Sequence, residues 1–158
     1  MNPTVKFNIT KRLLAANGQP ISGQQLADDF GLSRTAIWKH IKELEEDGYE
    51  IDTVKKKGYV LTTSPDTLQA AKIDQYLTTT RFGRKIHYLQ SCPTTQPIAH
   101  QLAQAGEPDG AIVICEEQTA GKGRLARAWT STQGKGIWMS VIIRPEIPPT
   151  KAPQLTLV

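Results

Sequence analysis

The run from Gln118 to Trp129, Gln-Thr-Ala-Gly-Lys-Gly-Arg-Leu-Ala-Arg-Ala-Trp, packs two glycines, three cations and a glutamine into a turn directly after an apolar segment. That composition suits an anionic ligand. Gly121 and Gly123 are expected to take positive φ and let the backbone approach a phosphate closely. Lys122, Arg124 and Arg127 supply charge, and successive backbone N–H groups in such a loop form an anion-binding concavity. Gly121 to Ala126 also fits the G-x-G-x-x-A dinucleotide spacing. A Rossmann loop opens a helix, however, whereas the residues after Arg127 include Thr-Ser-Thr-Gln-Gly-Lys-Gly and run into a strand. Neither this loop nor Gly134-Lys-Gly136 has the Gly-x-x-x-x-Gly-Lys-Ser/Thr spacing of a P-loop. The bland alternative is a solvated basic surface loop.

Mixed α/β elements must hold that loop. Ile86 to Gln90 reads as a strand, Thr95 to Ala105 as a helix ended by Gly106, Ala111 to Glu116 as a buried strand and Gly136 to Arg144 as another. Upstream, Ser64-Pro65-Asp66 marks a boundary before a helical stretch expected over Thr67 to Leu77. The expected domains are therefore 1–63 and 64–158.

The first of these reads as a helix-turn-helix. Phe7, Ile9, Leu13 and Leu14 follow a helical period up to Asn17-Gly18 and Pro20. Ser22-Gly-Gln-Gln25 has capping-box spacing before a short helix that ends at Gly31. Ser33 caps a third helix, Arg34 to Asp47, with Ile37, Ile41 and Leu44 on one face and Gly48 as its stop. Tyr49 to Val54 and Gly58 to Leu61 then alternate as two strands joined through Lys55-Lys-Lys57, a wing. In a winged helix-turn-helix the third helix enters the major groove of DNA. Its outward residues here are Arg34, Thr35, Trp38, Lys39 and Lys42, preceded by Ser33. Arg34 suits a bidentate contact to guanine and Thr35 a base edge, while Lys39, Lys42, Lys55, Lys56 and Lys57 suit phosphates. Read blandly, the lysine triplet is a solvated hairpin tip and Trp38 packs on the wing.

Composition limits the choices. The chain has 158 residues and a formal charge of +4; residues 1–63 carry nine Lys/Arg against eight Asp/Glu, and the remainder ten against seven. Neither part is strongly basic, so binding to nucleic acid rests on a local patch. No apolar run is long enough for a membrane span and Met1 to Lys11 lacks the apolar core of a secretory signal, which makes a cytoplasmic address the expectation. Cys92 and Cys115 show no metal-ligand or disulfide spacing, and Cys115 reads as a buried thiol.

The combination is more specific than its parts. A winged helix-turn-helix followed by Thr94-Thr95-Gln96, then Glu117 to Arg124, then Trp129 and Gly136-Ile-Trp-Met-Ser140, resembles the bifunctional biotin operon repressors that are also biotin protein ligases. The resemblance implies an α+β chain, a winged helix-turn-helix followed by the N-terminal part of a biotin ligase catalytic domain. It further implies synthesis of biotinyl-5'-AMP from biotin and ATP with Mg2+, and transfer of biotin to a lysine of the biotin carboxyl carrier protein of acetyl-CoA carboxylase. The adenylate would serve as corepressor of a homodimer on operator DNA. On the same grounds Thr94, Thr95 and Gln96 approach the biotin ring or carboxylate, and Gln118, Gly121, Lys122, Gly123, Arg124 and Arg127 hold biotin and the activated carboxyl. Lys122 and Arg124 offset charge in the reaction, and Trp129 packs near the adenine. The family's commonest loop is Gly-Arg-Gly-Arg-Arg-Gly-Arg. Lys122 here lacks the bidentate fork of arginine, and Leu125-Ala126 replaces Arg-Gly. A Lys-Trp-Pro-Asn-Asp motif that follows in the family does not occur, so a truncated catalytic domain is expected. The alternative from another class is a winged-helix regulator that senses a small anion without catalysis.

Overall fold

A computed structural model of the chain describes residues 5–123, 125 and 127–156. It forms two compact units, one ending at Leu77 and the other beginning at Thr78. The first holds α1 (Val5–Ala15), α2 (Gly23–Phe30), α3 (Arg34–Glu46), β1 (Glu50–Val54), β2 (Gly58–Thr63) and α4 (Ala70–Asp74). Both expected serine caps form: Ser22 Oγ accepts from the Gln25 N–H at 2.9 Å and Ser33 Oγ from the Ala36 N–H at 3.1 Å. Each satisfies one donor that the helix cannot pair internally. Gly31 closes α2 in the left-handed conformation, at φ 64°.

Ile9, Leu13, Leu26, Ile37, Ile41 and Leu44 are almost wholly buried and form one core with Ile21, Tyr49 and Ile51. Complete burial of each large aliphatic side chain contributes about 1.5–3 kcal/mol. Strands β1 and β2 pair antiparallel, and Ile21 adds a bridge to Tyr59 through N–H to carbonyl bonds of 2.9 and 2.8 Å. This third strand segment, hidden between Pro20 and Ser22, anchors the hairpin to the helices. It also explains Gly58, whose φ is 115° and whose absent Cβ would overlap the Ile21 carbonyl.

The boundary falls later than Ser64. Residues 64–77 belong to the first unit because Tyr49 Oη donates to Gln69 Oε1 at 2.7 Å and Lys11 Nζ pairs with Asp74 at 2.5 Å. The expected helix over 67–77 shrinks to Ala70–Asp74, since the Thr67 N–H turns back to the Pro65 carbonyl and Gln69 is held extended, at ψ 138°.

In the second unit β3 (Ile86–Cys92), β4 (Ile112–Gln118) and β5 (Trp138–Val141) form a sheet in that order, β3 parallel to β4 and β4 antiparallel to β5. Helix α5 (Thr95–Gln104) is the crossover between the parallel strands. Its Ala99, Ile98 and Leu102 pack on Val113, Leu89 and Ile142. Arg144 closes the end of α5, its guanidinium donating to the Ala103 carbonyl at 2.5 Å and to the Glu107 carbonyl at 2.9 Å. Strand β5 is shorter than the expected 136–144, because past Ile142 the backbone turns to a side chain and the Arg144 N–H donates to Asp109 Oδ1 at 2.7 Å. The closing segment Pro149–Thr156 is a 3-10 helix with Pro153 inside it. Proline lacks the N–H of a longer α-helix, consistent with the tighter, shorter form. Among the described residues no helix is long and apolar enough to cross a membrane.

Candidate functional site

In the first unit the buried row Ile37, Ile41 and Leu44 leaves Arg34, Thr35, Trp38, Lys39 and Lys42 exposed on α3, as the helical period requires. Trp38 keeps 49% of its surface exposed, so it does not serve as a wing-covering core residue. Ser33 spends a lone pair on its cap and keeps its hydroxyl proton. Lys42 lies 2.5 Å from Glu45, an ion pair that a phosphate contact would have to replace. Arg34, Lys39 and Lys55 to Lys57 make no ion pair among the described residues. Lys55, Lys56 and Lys57 stand exposed at the hairpin tip, with Lys56 at φ 63°. The free N–H groups and positive dipole end of α3 add to the attraction for anions at its start.

In the second unit a chain of buried and half-buried polar groups holds the base of the glycine loop. The Thr95 N–H donates to Gln118 Oε1 at 2.9 Å, and Thr95 Oγ1 lies 3.4 Å from the same oxygen and 2.8 Å from Ser140 Oγ. A backbone N–H only donates, so the Gln118 amide oxygen must face Thr95, and Nε2 is left to donate to Ser131 Oγ at 3.1 Å. Thr95 and Ser131 are each only 3% exposed. The Gln118 N–H also donates to the Ser131 carbonyl at 3.1 Å, which ties the outgoing and returning strands together at the base of the loop.

Above that base the loop is a narrow two-stranded turn. The Trp129 N–H donates to the Gly121 carbonyl at 2.9 Å and the Gly123 N–H to the Arg127 carbonyl at 2.8 Å, with Lys122 bridged to Ala128. Neither Gly121 nor Gly123 has positive φ, contrary to expectation; that conformation falls on Leu125, at φ 58°. Gly121 is required for close packing instead, because a Cβ there would lie 2.7 Å from the Trp129 carbonyl and 2.8 Å from Ser131 Oγ. Arg124 lies outside the described residues. Lys122, Arg127, Trp129 and Leu125 are exposed, Trp129 at 58%.

A cleft of about 450 Å³ is lined by Glu117, Gln118, Gly121, Trp129 and Ser131 with their neighbours. Thr95 reaches it only through Gln118. Thr94, partly exposed and with no side-chain capping bond, and the exposed Gln96 open α5 outside that lining, as do Lys122 and Arg127 on the loop. After β4 the chain returns to the sheet as a bridge at Ser131 and then as β5, and among the described residues between them no α-helix of the kind a dinucleotide loop opens is found.

Residues 5–60 match the HTH domain family and residues 88–158 the biotin/lipoate A/B protein ligase family. The bifunctional ligase/repressor BirA of Bacillus spizizenii is 44% identical over all 158 residues, which cover 49% of that relative. The Bacillus subtilis protein of the same name is 43% identical over the same span and coverage. That of Escherichia coli is 37% identical over 146 residues, 92% of this chain and 44% of the relative. The chain is thus similar to the bifunctional ligase/repressors along its whole length, with an HTH match followed by a ligase-family match. It spans about half the length of the curated ligase/repressors it matches.

Two residues of the polar chain escaped the sequence reading. Ser131 sits in Thr130-Ser-Thr132, where composition reads as loop; its signal is its place opposite Gln118 once the loop is folded back as a hairpin. Ser140 appeared only as part of the Gly136 to Ser140 run, yet its hydroxyl fixes Thr95.

Proposed function

We propose that this chain carries the operator-reading unit and the substrate-closing loop of a cytoplasmic protein that both represses transcription and ligates biotin. The glycine loop, pinned at its base by Gln118 and Ser131 over a cleft of about 450 Å³, is the observation that carries this reading. The ligase-family match across the same residues supports it.

In the proposed reaction a biotin carboxylate oxygen attacks the α-phosphorus of ATP, forming the acyl-phosphate bond of biotinyl-5'-AMP as pyrophosphate leaves. A lysine amine of the biotin carboxyl carrier protein then attacks the acyl carbon and AMP departs, so the nucleophile comes from the acceptor. Lys122, Arg124 and Arg127 offset charge that develops on phosphate oxygens, a stabilisation that is strongest where water is excluded. Thr94, Gln96 and Gln118 meet the polar end of biotin, with Thr95 fixing the Gln118 amide. Trp129, exposed on the loop, offers a ring to the adenine. Mg2+ entering with the nucleotide would supply further positive charge to the phosphates. Among the described residues there is no group of three or more His, Cys, Asp or Glu that would hold a metal ion.

The adenylate acts as corepressor if it favours the dimer that reads a two-fold operator, since a ligand shifts such an equilibrium only by its differential affinity for the two states. Titration calorimetry with biotin and a non-hydrolysable biotinyl-adenylate analogue tests the ligand half. Saturable binding that weakens in Arg124→Ala is expected. Absence of binding, both by a chain that circular dichroism shows folded and by a protein extended to the relatives' length, rejects it. Binding by the extended protein without biotin transfer to an acceptor lysine identifies a non-catalytic sensor.

A further inference from the structure

We infer that Lys56, at the tip of the β1–β2 hairpin, is a contact to a DNA phosphate held in a strained backbone conformation, so that the first unit is less stable than its turn would allow. The inference rests on the operator-reading role proposed for that unit and singles out one contact within it.

Among the described residues of the first unit, positive φ falls on four glycines, on Asn17 and on Lys56, the last at 63°. Glycine has no Cβ to clash in that region and asparagine tolerates it, whereas a longer side chain is disfavoured there. The Lys57 N–H donates to the Val54 carbonyl at 3.0 Å, closing a four-residue turn with Lys56 in third place. Turns with positive φ at that place take glycine or asparagine by preference. The strain cannot slide along the chain. Val54 pairs with Gly58, and Ile21 and Tyr59 bond in both directions at 2.9 and 2.8 Å, so the hairpin register is fixed next to the tip. Gly58 is itself committed, since a Cβ there would overlap the Ile21 carbonyl. Nothing within the fold offsets the strain: the Lys56 side chain is exposed and makes no ion pair with any described residue. Positive charge is what lysine brings to this position and glycine does not. Lys55 and Lys57 stand exposed beside it, so the ligand of matching charge is a polyanion. The hairpin tip belongs to a segment that matches the HTH domain family, and in a winged helix-turn-helix that polyanion is DNA.

Three variants of the 158-residue chain test this. Lys56→Gly and Lys56→Asn relieve the backbone and remove the charge, while Lys56→Arg keeps both charge and strain. In the first two, amide hydrogen exchange at the buried Ile37 and Ile41 should slow by about fivefold, because the folded state no longer carries the strain. Fluorescence anisotropy with a random-sequence DNA duplex, over a series of salt concentrations, reads the contact. A phosphate contact is blind to sequence, so no operator is needed. The slope of log K against log salt should flatten by about 0.9 in both variants, the loss of one contact. Lys56→Arg should match the parent in both measurements. A glycine variant that exchanges more slowly but keeps the parent's slope would overturn the proposal, because the strain would then serve no DNA contact. Exchange at the parent's rate in both the glycine and asparagine variants would overturn it too, since the turn would be unstrained. So would a flattened slope in Lys56→Arg, which would make the shape of the tip, not its charge, the determinant. If neither the parent chain nor a protein extended to the relatives' length binds the duplex at any salt concentration, the operator-reading role itself falls, and the contact with it.

Discussion

At the level of single residues, the two loop glycines have different reasons for being glycine. A methyl group at Gly121 would press on the Trp129 carbonyl and Ser131 Oγ, at 2.7 and 2.8 Å, whereas at Gly123 the nearest such atoms lie at 3.7 Å. Neither has the positive φ that would make an added Cβ a backbone problem. Gly121→Ala must therefore spread the loop base and is expected to destabilise the second unit by about 1–3 kcal/mol, the usual cost of overpacking. Gly123→Ala should fall within about 0.5 kcal/mol of the parent. Thermal melts of the two variants check the contrast, and equal effects would mean that the loop base yields easily. The sequence alone marked both glycines as special but assigned them one cause, conformational freedom. Close approach depends on a neighbour ten residues further on, Ser131, and no local pattern announces that neighbour.

Among the elements, legibility follows the range of the interactions. Helices α1 to α3 were readable because their caps and apolar periods lie within a few residues of each other, as the Ser22 and Ser33 bonds demonstrate. Helix α4 and strand β5 were misjudged in length, since Gln69 is fixed by Tyr49 and Arg144 by Asp109, partners 20 and 35 residues away. The second of these pairings has a measurable pH signature. Hydrogen bonds from the Arg81 guanidinium and the Arg144 N–H hold the Asp109 carboxyl at about 2, below its ordinary 3.8. A depressed folded-state pKa stabilises the fold above the unfolded value, and that contribution is lost as pH falls through the folded one. Asp109→Asn keeps an oxygen for the Arg144 N–H but removes the charge. Its melting temperature should lie below the parent's at pH 7. The gap should shrink as pH drops from about 4 through about 2 and close below that, where the parent carboxyl is also neutral. A gap that persists at the acid end would show that the charge on Asp109 is not what ties the end of β5 to the turn after α5.

For the molecule as a whole, net charge is a poor guide to partners. Residues 1–63 sum to only +1, yet the acids Glu43, Glu45, Glu46 and Asp47 collect at the far end of α3 while Arg34 and Lys39 occupy its start. Lys55 to Lys57 crowd the hairpin tip, none of them in an ion pair with any described residue. In the proposed operator-reading role, this segregation would make DNA affinity depend on a few identifiable cations. Each phosphate contact releases condensed counterions, so log K falls against log salt with a slope of about −0.9 per contact. If all three wing lysines meet phosphates, replacing them together by alanine should flatten that slope by about 2.7, and weaken binding about equally on operator and non-operator duplexes. Arg34→Ala behaves differently if it reads a base: operator affinity should drop by about 1–3 kcal/mol while non-specific affinity changes little. Fluorescence anisotropy over a series of salt concentrations measures both quantities. An unchanged slope in the lysine variant would remove the wing from the interface. Equal losses for Arg34→Ala on all duplexes would make it a phosphate contact, and specificity would then have to come from Thr35, Trp38 or the shape of the DNA.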